Sequence, residues 1–150
     1  MSDPKIRRAT VDDAAEISAV IAEIIKDPEP VALQSEMTPA QVANWIERLG
    51  NQGGLFVCEI EGRVVGFSGL DFNTEEPDTA TLGVWLLSSE RKKGLGTALA
   101  ERALEHARDQ GYRRIRGRLP QNNEVALSFL SSIGALVPLY NPEARFELPL

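Results

Sequence analysis

The sequence predicts an α/β domain of the α+β kind, a mixed sheet flanked by helices. Three observations carry that prediction. Three strand-like runs, "GLFVCEI", "RVVGFSGLDF" and "TATLGVWLL", follow one another as a meander. Apolar residues at helical spacing precede and follow them. A glycine-rich turn, "RKKGLG", joins the third run to a long helix-like segment.

Taken in order, Ile6 to Ala9 reads as a short strand. Thr10 with Asp13 resembles a capping box, and Ala14, Ile17, Ile21 and Ile24 then recur at helical spacing. That order fails at "KDPEP", where two prolines intervene. Thr38, Pro39 and Gln41 start a second helix with Val42, Trp45, Ile46 and Leu49 on one face. The first two runs of the meander meet at Glu61-Gly62, a good hairpin turn. "TEEPD" is a loop before the third run. A helix from Gly94 to Gln110 follows, then a strand at Arg113 to Leu119 and a helix from about Asn123 to Ile133. Finally "ALVPLY" and "ARFELPL" suggest a terminal hairpin around Asn141-Pro142. The predicted order is β-α-α-β-β-β-α-β-α-β-β.

The chain of 150 residues is long enough for one domain with a real core and too short for two ordinary ones, so residues 1–150 are expected to form one domain. No apolar run reaches membrane-spanning length, and "MSDPKIRRAT" has no apolar signal region. The one cysteine, Cys58, excludes an internal disulfide and is expected to be a small core residue. A cytoplasmic setting, with no membrane partner, is the expectation. The net charge of −6 argues against a broad nucleic-acid surface, which needs Lys and Arg to neutralise phosphates. The cations are nevertheless grouped, around "RKKGLG" and in "YRRIRGR", a pattern better suited to a small anion or simply to solvation.

Strand, glycine turn and helix together present unpaired amides to an anion. Gly94 and Gly96 lack Cβ, so a phosphate can approach the backbone, and Arg91, Lys92 and Lys93 add mobile positive charge. Ala100, Ala103 and Ala107 continue a small-residue stripe from Gly96, while Glu101, Glu105, Arg108 and Asp109 lie on the solvated side. The bland alternative is a tight strand-to-helix turn and nothing more. A Walker A loop needs Lys and Ser or Thr after its last glycine, but Thr97 and Ala98 follow Gly96. A dinucleotide fingerprint needs glycine where Leu99 stands.

The segment "RKKGLG", Arg91 to Gly96, resembles the Q/R-x-x-G-x-G/A motif of the GCN5-related N-acetyltransferase (GNAT) superfamily, and its place after a meander and before a long helix strengthens the likeness. "IRRATVDDAAEI" is similar to the usual opening of that family, and "NNEVALSFLSSIGA" to its later Asn-x-x-Ala helix. The resemblance implies the GNAT fold: a mixed, mostly antiparallel sheet of six to seven strands flanked by four helices. It implies acetyl-CoA as co-substrate, no metal, and direct transfer of the acetyl group to a primary amine of a small molecule or protein. A coenzyme A-binding sensor or interaction domain with little catalysis is the alternative, and a homodimer through the apolar C-terminal segment stays open.

By the same resemblance the fourth strand opens a V-shaped slot. The pantetheine arm runs along Val84, Trp85 and Leu86, the pyrophosphate rests on Arg91, Lys92, Lys93, Gly94, Leu95, Gly96 and Thr97, and Asn123 touches the arm. The Leu86 backbone amide is the implied oxyanion donor. The side chains for proton transfer depart from the family. Leu130 stands where a Tyr is common, Ala135 where a Phe is common, and Thr81 beside the place of a frequent Glu. Asp71, Glu59 and Glu75 are the nearest carboxylates by element order, but each is expected to be a solvated or turn residue before a catalytic one. His106, the only histidine, is expected at the surface. Trp85 packs in the core or under the pantetheine arm, and Trp45 in the core or the pocket wall. The acidic stretches "KDPEPVALQSEM" and "TEEPD" suit an amine cation, or solubility alone.

Overall fold

The computed structural model describes residues 3–26, 36–72, 74–90, 94–118 and 145–149. Six strands lie in one sheet in the order of the sequence: β1 (Lys5–Arg8), β2 (Gly54–Ile60), β3 (Arg63–Phe72), β4 (Thr79–Leu86), β5 (Arg114–Arg118) and β6 (Arg145–Pro149). All neighbours are antiparallel except β4 and β5, which are parallel. Among the described residues three α-helices accompany them: α1 (Ala14–Ile25), α2 (Pro39–Leu49) and α3 (Leu95–Asp109). The predicted helix near 123–133 and the run 135–140 lie outside the described residues. The last apolar run does join the sheet, as β6 beside β5.

The expected caps are present, with one difference at the first. The Thr10 amide donates to Asp13 Oδ2 at 2.8 Å, but the box closes a 3-10 turn, Val11–Asp13, from which α1 continues. At α2 the Gln41 amide donates to Thr38 Oγ1 and the Thr38 amide to Gln41 Oε1, so two orphan donors are satisfied reciprocally.

The helices cover opposite faces of the sheet. On one, Ile17, Ile21 and Ile24 of α1 and Val42 and Leu49 of α2 pack on Leu55, Val57 and Phe67. On the other, Ala100, Ala103 and Ala107 of α3 pack on Phe56, Leu70, Leu82 and Ile115. These alanines are fully buried, and their small size lets α3 lie close to the strands. A buried Ser68 hydroxyl donates to the Leu99 carbonyl at 2.9 Å, tying α3 to the middle of β3.

Register changes once. Cys58 faces Gly66, yet Glu59 faces Val64, so Val65 is the extra residue of a bulge. The Val64 amide there donates to Glu16 Oε2 at 3.1 Å, which joins α1 to the sheet.

Arg7 fastens the first strand. Its guanidinium donates to both carboxylate oxygens of Asp13, at 2.7 and 2.9 Å, and its Nε to Glu59. That pairing, against the opposing effect of burial, holds the Asp13 carboxyl below its ordinary value. A carboxyl depressed in the folded state stabilises fully above its unfolded value, about 3.9, and the stabilisation is lost as pH falls through the folded value. The urea midpoint of the wild type is therefore expected to fall more steeply between pH 5 and pH 3, values on the order of that unfolded pKa, than that of Asp13→Asn. Equal slopes would remove Asp13 from the acid response.

Candidate acyl-transfer cleft and its aromatic wall

β4 pairs with β3 from Ala80, opposite Phe72, to Leu86, opposite Gly66. With β5 it pairs only from Thr79 to Thr81, opposite Arg114 to Arg116. Beyond Thr81 the two parallel strands part, while β5 keeps β6 on its other edge from Arg114 to Arg118. The opening lies at the carboxyl ends of parallel strands, the place where open α/β sheets receive ligands.

Backbone alternation fixes what β4 turns toward this opening. The Leu87 amide donates to the Val65 carbonyl at 3.0 Å, so odd-numbered residues of β4 share the ladder with β3. The N–H and C=O groups of Leu82, Val84 and Leu86 point to the β5 side.

α3 begins at the same end. Gly94 is its N-cap, with φ of 82°, a left-handed conformation that favours glycine. Among the described residues, a Cβ at Gly94 would meet nothing within 4 Å. The Ala98 amide donates to the Gly94 carbonyl at 3.1 Å, and the amides of Leu95, Gly96 and Thr97 before it have no partner within the helix. Leu95 and Leu99 join Leu86, Val65 and Cys58 in one buried cluster that fixes the start of α3 against the end of β4. Cys58 is fully buried, and burial, then the Glu90 and Glu59 charges, push its thiol up. Of the residues expected at the loop, Gly94, Leu95, Gly96 and Thr97 adjoin the end of β4. Arg91, Lys92, Lys93 and Asn123 lie outside the described residues, as do Leu130 and Ala135.

The α2 face of β4 carries an aromatic group that the periodicity alone did not assemble. Trp85 stacks on Phe67 with ring centroids 4.8 Å apart, and Trp45 of α2 meets Trp85 edge-on at 6.3 Å. The Trp85 ring lies over the facing pair Gly69 and Gly83, and a Cβ at Gly83 would run into it.

Asp71 has other work than the solvated or turn position expected of it. It lies within β3, opposite Thr81, and its carboxylate accepts four hydrogen bonds. Trp45 Nε1 donates at 3.1 Å, Arg48 donates twice at 2.7 and 3.1 Å, and the Phe72 amide donates at 2.7 Å. Burial pushes the Asp71 carboxyl up, but Arg48, the Phe72 amide and Trp45 together outweigh it and hold the carboxyl below its ordinary value. Asp71 is therefore poorly suited to take a proton at neutral pH. Glu59 stands toward the other end of β3, opposite Val64, engaged by Arg7, so the two carboxylate candidates do not converge. Glu75 is exposed in the loop before β4.

His106 is a correction. Expected at the surface, it is 8% exposed, with Nε2 2.9 Å from the Asn51 carbonyl and its ring against Phe56. The signal was present: His106 is three residues beyond Ala103 and next to Ala107, at the edge of the buried stripe. Arg48, which the sequence reading passed over, stands three residues after Trp45 on the same helix and reaches the same carboxylate.

Comparison with known proteins agrees with this architecture. The model of the acetyltransferase (GNAT) family matches residues 19–135. An uncharacterised N-acetyltransferase of Methanocaldococcus jannaschii is 32% identical over 89 residues. That match takes in 56% of this chain and only 39% of the relative's length. An N-acetyltransferase from Staphylococcus aureus Mu50 superposes with a TM-score of 0.80 at 25% identity, covering 99% of each chain. A phosphinothricin acetyltransferase from Sinorhizobium meliloti, solved in complex with acetyl-CoA, superposes with a TM-score of 0.86 at 18% identity, covering 100% of this chain and 89% of its own. The fold, with its parted strands, is one that this chain shares with solved acetyltransferases. The chain belongs to the acetyltransferase (GNAT) family.

The indole over Gly83 yields a direct expectation. Gly83→Ala places a methyl group where the Trp85 ring lies, so the ring must move or the strands must shift. A loss of about 1–3 kcal/mol in chemical denaturation is expected, with a changed near-ultraviolet tryptophan signal. Unchanged stability and spectrum would show that the ring does not rest on the glycine.

Proposed function

We propose that this protein is an N-acetyltransferase that moves the acetyl group of acetyl-CoA to a primary amine. The observation that carries the reading is the parting of β4 from β5 after Thr81, at the end of the sheet where α3 begins. Three first-turn amides, the positive end of a 15-residue helix and a glycine turn that no other described residue crowds suit an anion there. The amides of Leu95, Gly96 and Thr97, with Arg91, Lys92 and Lys93 from the same loop, would hold the pyrophosphate. The edge of β4 at Val84, Trp85 and Leu86 would take the pantetheine arm as an added strand, with Asn123 against it. The Leu86 amide is the oxyanion donor in this reading.

Acetyl-CoA, when bound, supplies a thioester acyl group that a free amine attacks, with the coenzyme thiol as leaving group. The chain contributes orientation and backbone donors, and both act without a titrating side chain. Asp71, bound to Arg48, is kept charged and out of proton transfer. The lone, buried Cys58 suits a reducing setting such as the cytoplasm, and among the described residues no helix is long and apolar enough to cross a membrane.

Titration calorimetry with acetyl-CoA, paired with thiol release over a panel of amines, tests the reading. Gly96→Val should weaken acetyl-CoA binding by about 10-fold or more, because close approach to the helix amides is lost. Glu105→Ala, on the solvated side of α3, should bind as the wild type does. Binding without thiol release would favour a coenzyme A-binding module, and absence of binding would remove the site altogether.

A further inference from the structure

Arg48, in the last turn of α2, is the exposed partner of a fixed carboxylate. Its side chain is 55% exposed, whereas that of Asp71 is 31% exposed. Asp71 cannot move freely, because Trp45 Nε1 and the Phe72 amide hold it independently of Arg48. Each Asp71 oxygen accepts two hydrogen bonds: Oδ1 from Arg48 and Phe72, Oδ2 from Arg48 and Trp45. A carboxylate offers about four acceptor positions, so Asp71 is saturated and receives no further donor. The guanidinium is not. It has five N–H donors in a rigid fork, and only two of them go to Asp71.

The pair stands where an acceptor would enter. Asp71 faces exposed Thr81 across the strands, and Thr81 is the last residue of β4 to pair with β5. From that point the α2 face of the sheet runs over Gly83 to Trp85, with Trp45 alongside. A bidentate clamp between two elements is also an ordinary structural device, but exposed ion pairs contribute only about 0–1 kcal/mol. Four hydrogen bonds on one carboxylate are more than that task requires, and they leave the guanidinium oriented with donors outward.

We propose that Arg48 selects the acceptor by receiving an anionic group, a carboxylate, on the amine substrate, while Asp71 acts as its positioning residue and Trp45 and Trp85 take the intervening apolar chain. The proposal deepens the acetyltransferase reading and rests on it. Along β4, at about 3.3 Å per residue, Thr81 lies roughly 10 Å from Val84. The acceptor is therefore an amine separated from its carboxylate by a spacer, rather than a plain alkylamine.

The test compares glycine, 4-aminobutyrate and 6-aminohexanoate with their methyl esters, following thiol release from acetyl-CoA. In the wild type, a spaced amino acid should exceed its ester in kcat/KM by about 10- to 100-fold, mainly through KM, as for a hydrogen bond to a charged group. Arg48→Ala should erase that preference while leaving kcat for the ester and KM for acetyl-CoA within about twofold. Arg48→Lys should restore part of the preference, since a point charge replaces the fork, and Asp71→Asn should reduce it by loosening the fork. Equal rates for acid and ester in the wild type would overturn the proposal. So would an equal loss for both substrates in Arg48→Ala, the mark of a purely structural clamp. Acetyl-CoA binding without turnover of any panel member would overturn it as well, whereas failure to bind acetyl-CoA would overturn the acetyltransferase reading with it.

Discussion

The docking of α3 on the sheet is the constraint from which the cleft follows. The helix must lie close enough for Ala100, Ala103 and Ala107 to be buried on the strands, and the Ser68 hydroxyl fixes its height by bonding the Leu99 carbonyl. At its start, Leu95 and Leu99 are trapped with Leu86, Val65 and Cys58. At its far end the Tyr112 amide bonds the Ala107 carbonyl, and the Arg113 and Arg114 amides bond the Asp78 carbonyl just before β4. The chain therefore returns to the beginning of β4, not to its end. The parallel pairing can only start there, and the end of β4 is left to face the opening. A site made of backbone needs this fixity, because amides several residues apart must stay in register with one ligand.

Ladder geometry explains why so little of the proposed chemistry resides in side chains. Val84 and Leu86 direct their polar backbone groups toward β5, while their side chains lie on the α3 face with the core. The side chain that β4 sends to the other face near the opening is Trp85, an indole flat enough to cover two glycines. In the proposed reading the strand would serve both functions at once: an edge for hydrogen bonding and a wall for packing.

Much of the architecture was legible in the sequence because it follows local rules. The caps at Thr10 and Thr38, the Glu61-Gly62 turn and the spacing of Ile17, Ile21 and Ile24 are short-range patterns, and all appear where expected. Gly94 was legible for the same reason: the turn into α3 takes a positive φ that favours glycine. Asp71 was not. Its side-chain partners come from α2, more than twenty residues away in sequence, and nothing local marks a strand aspartate as one that will be held by a tryptophan and an arginine. His106 differs in kind: distance from the glycine loop says nothing about burial, and its place beside Ala107 sets it at the edge of the buried stripe. Its Nε2 meets the Asn51 carbonyl from a turn that no helical pattern predicts.

The charge balance bears on how such a site could draw anions at all. A net charge of −6 repels an anion at long range, so steering by the whole protein works against both a pyrophosphate and a carboxylate. Screening limits that penalty, since the Debye length is about 8 Å at physiological ionic strength. Within that distance only nearby donors matter, and the fold supplies two groups of them: the first-turn amides of α3 and the outward face of the Arg48 guanidinium. The two differ in kind. The amides carry partial charge and cannot be neutralised, so they suit an anion that must bind in every cycle. Arg48 is already balanced by Asp71, so it adds direction without a net local charge. Under the proposal for Arg48, that arrangement would favour a second substrate that is itself zwitterionic and must leave once its amine has become a neutral amide.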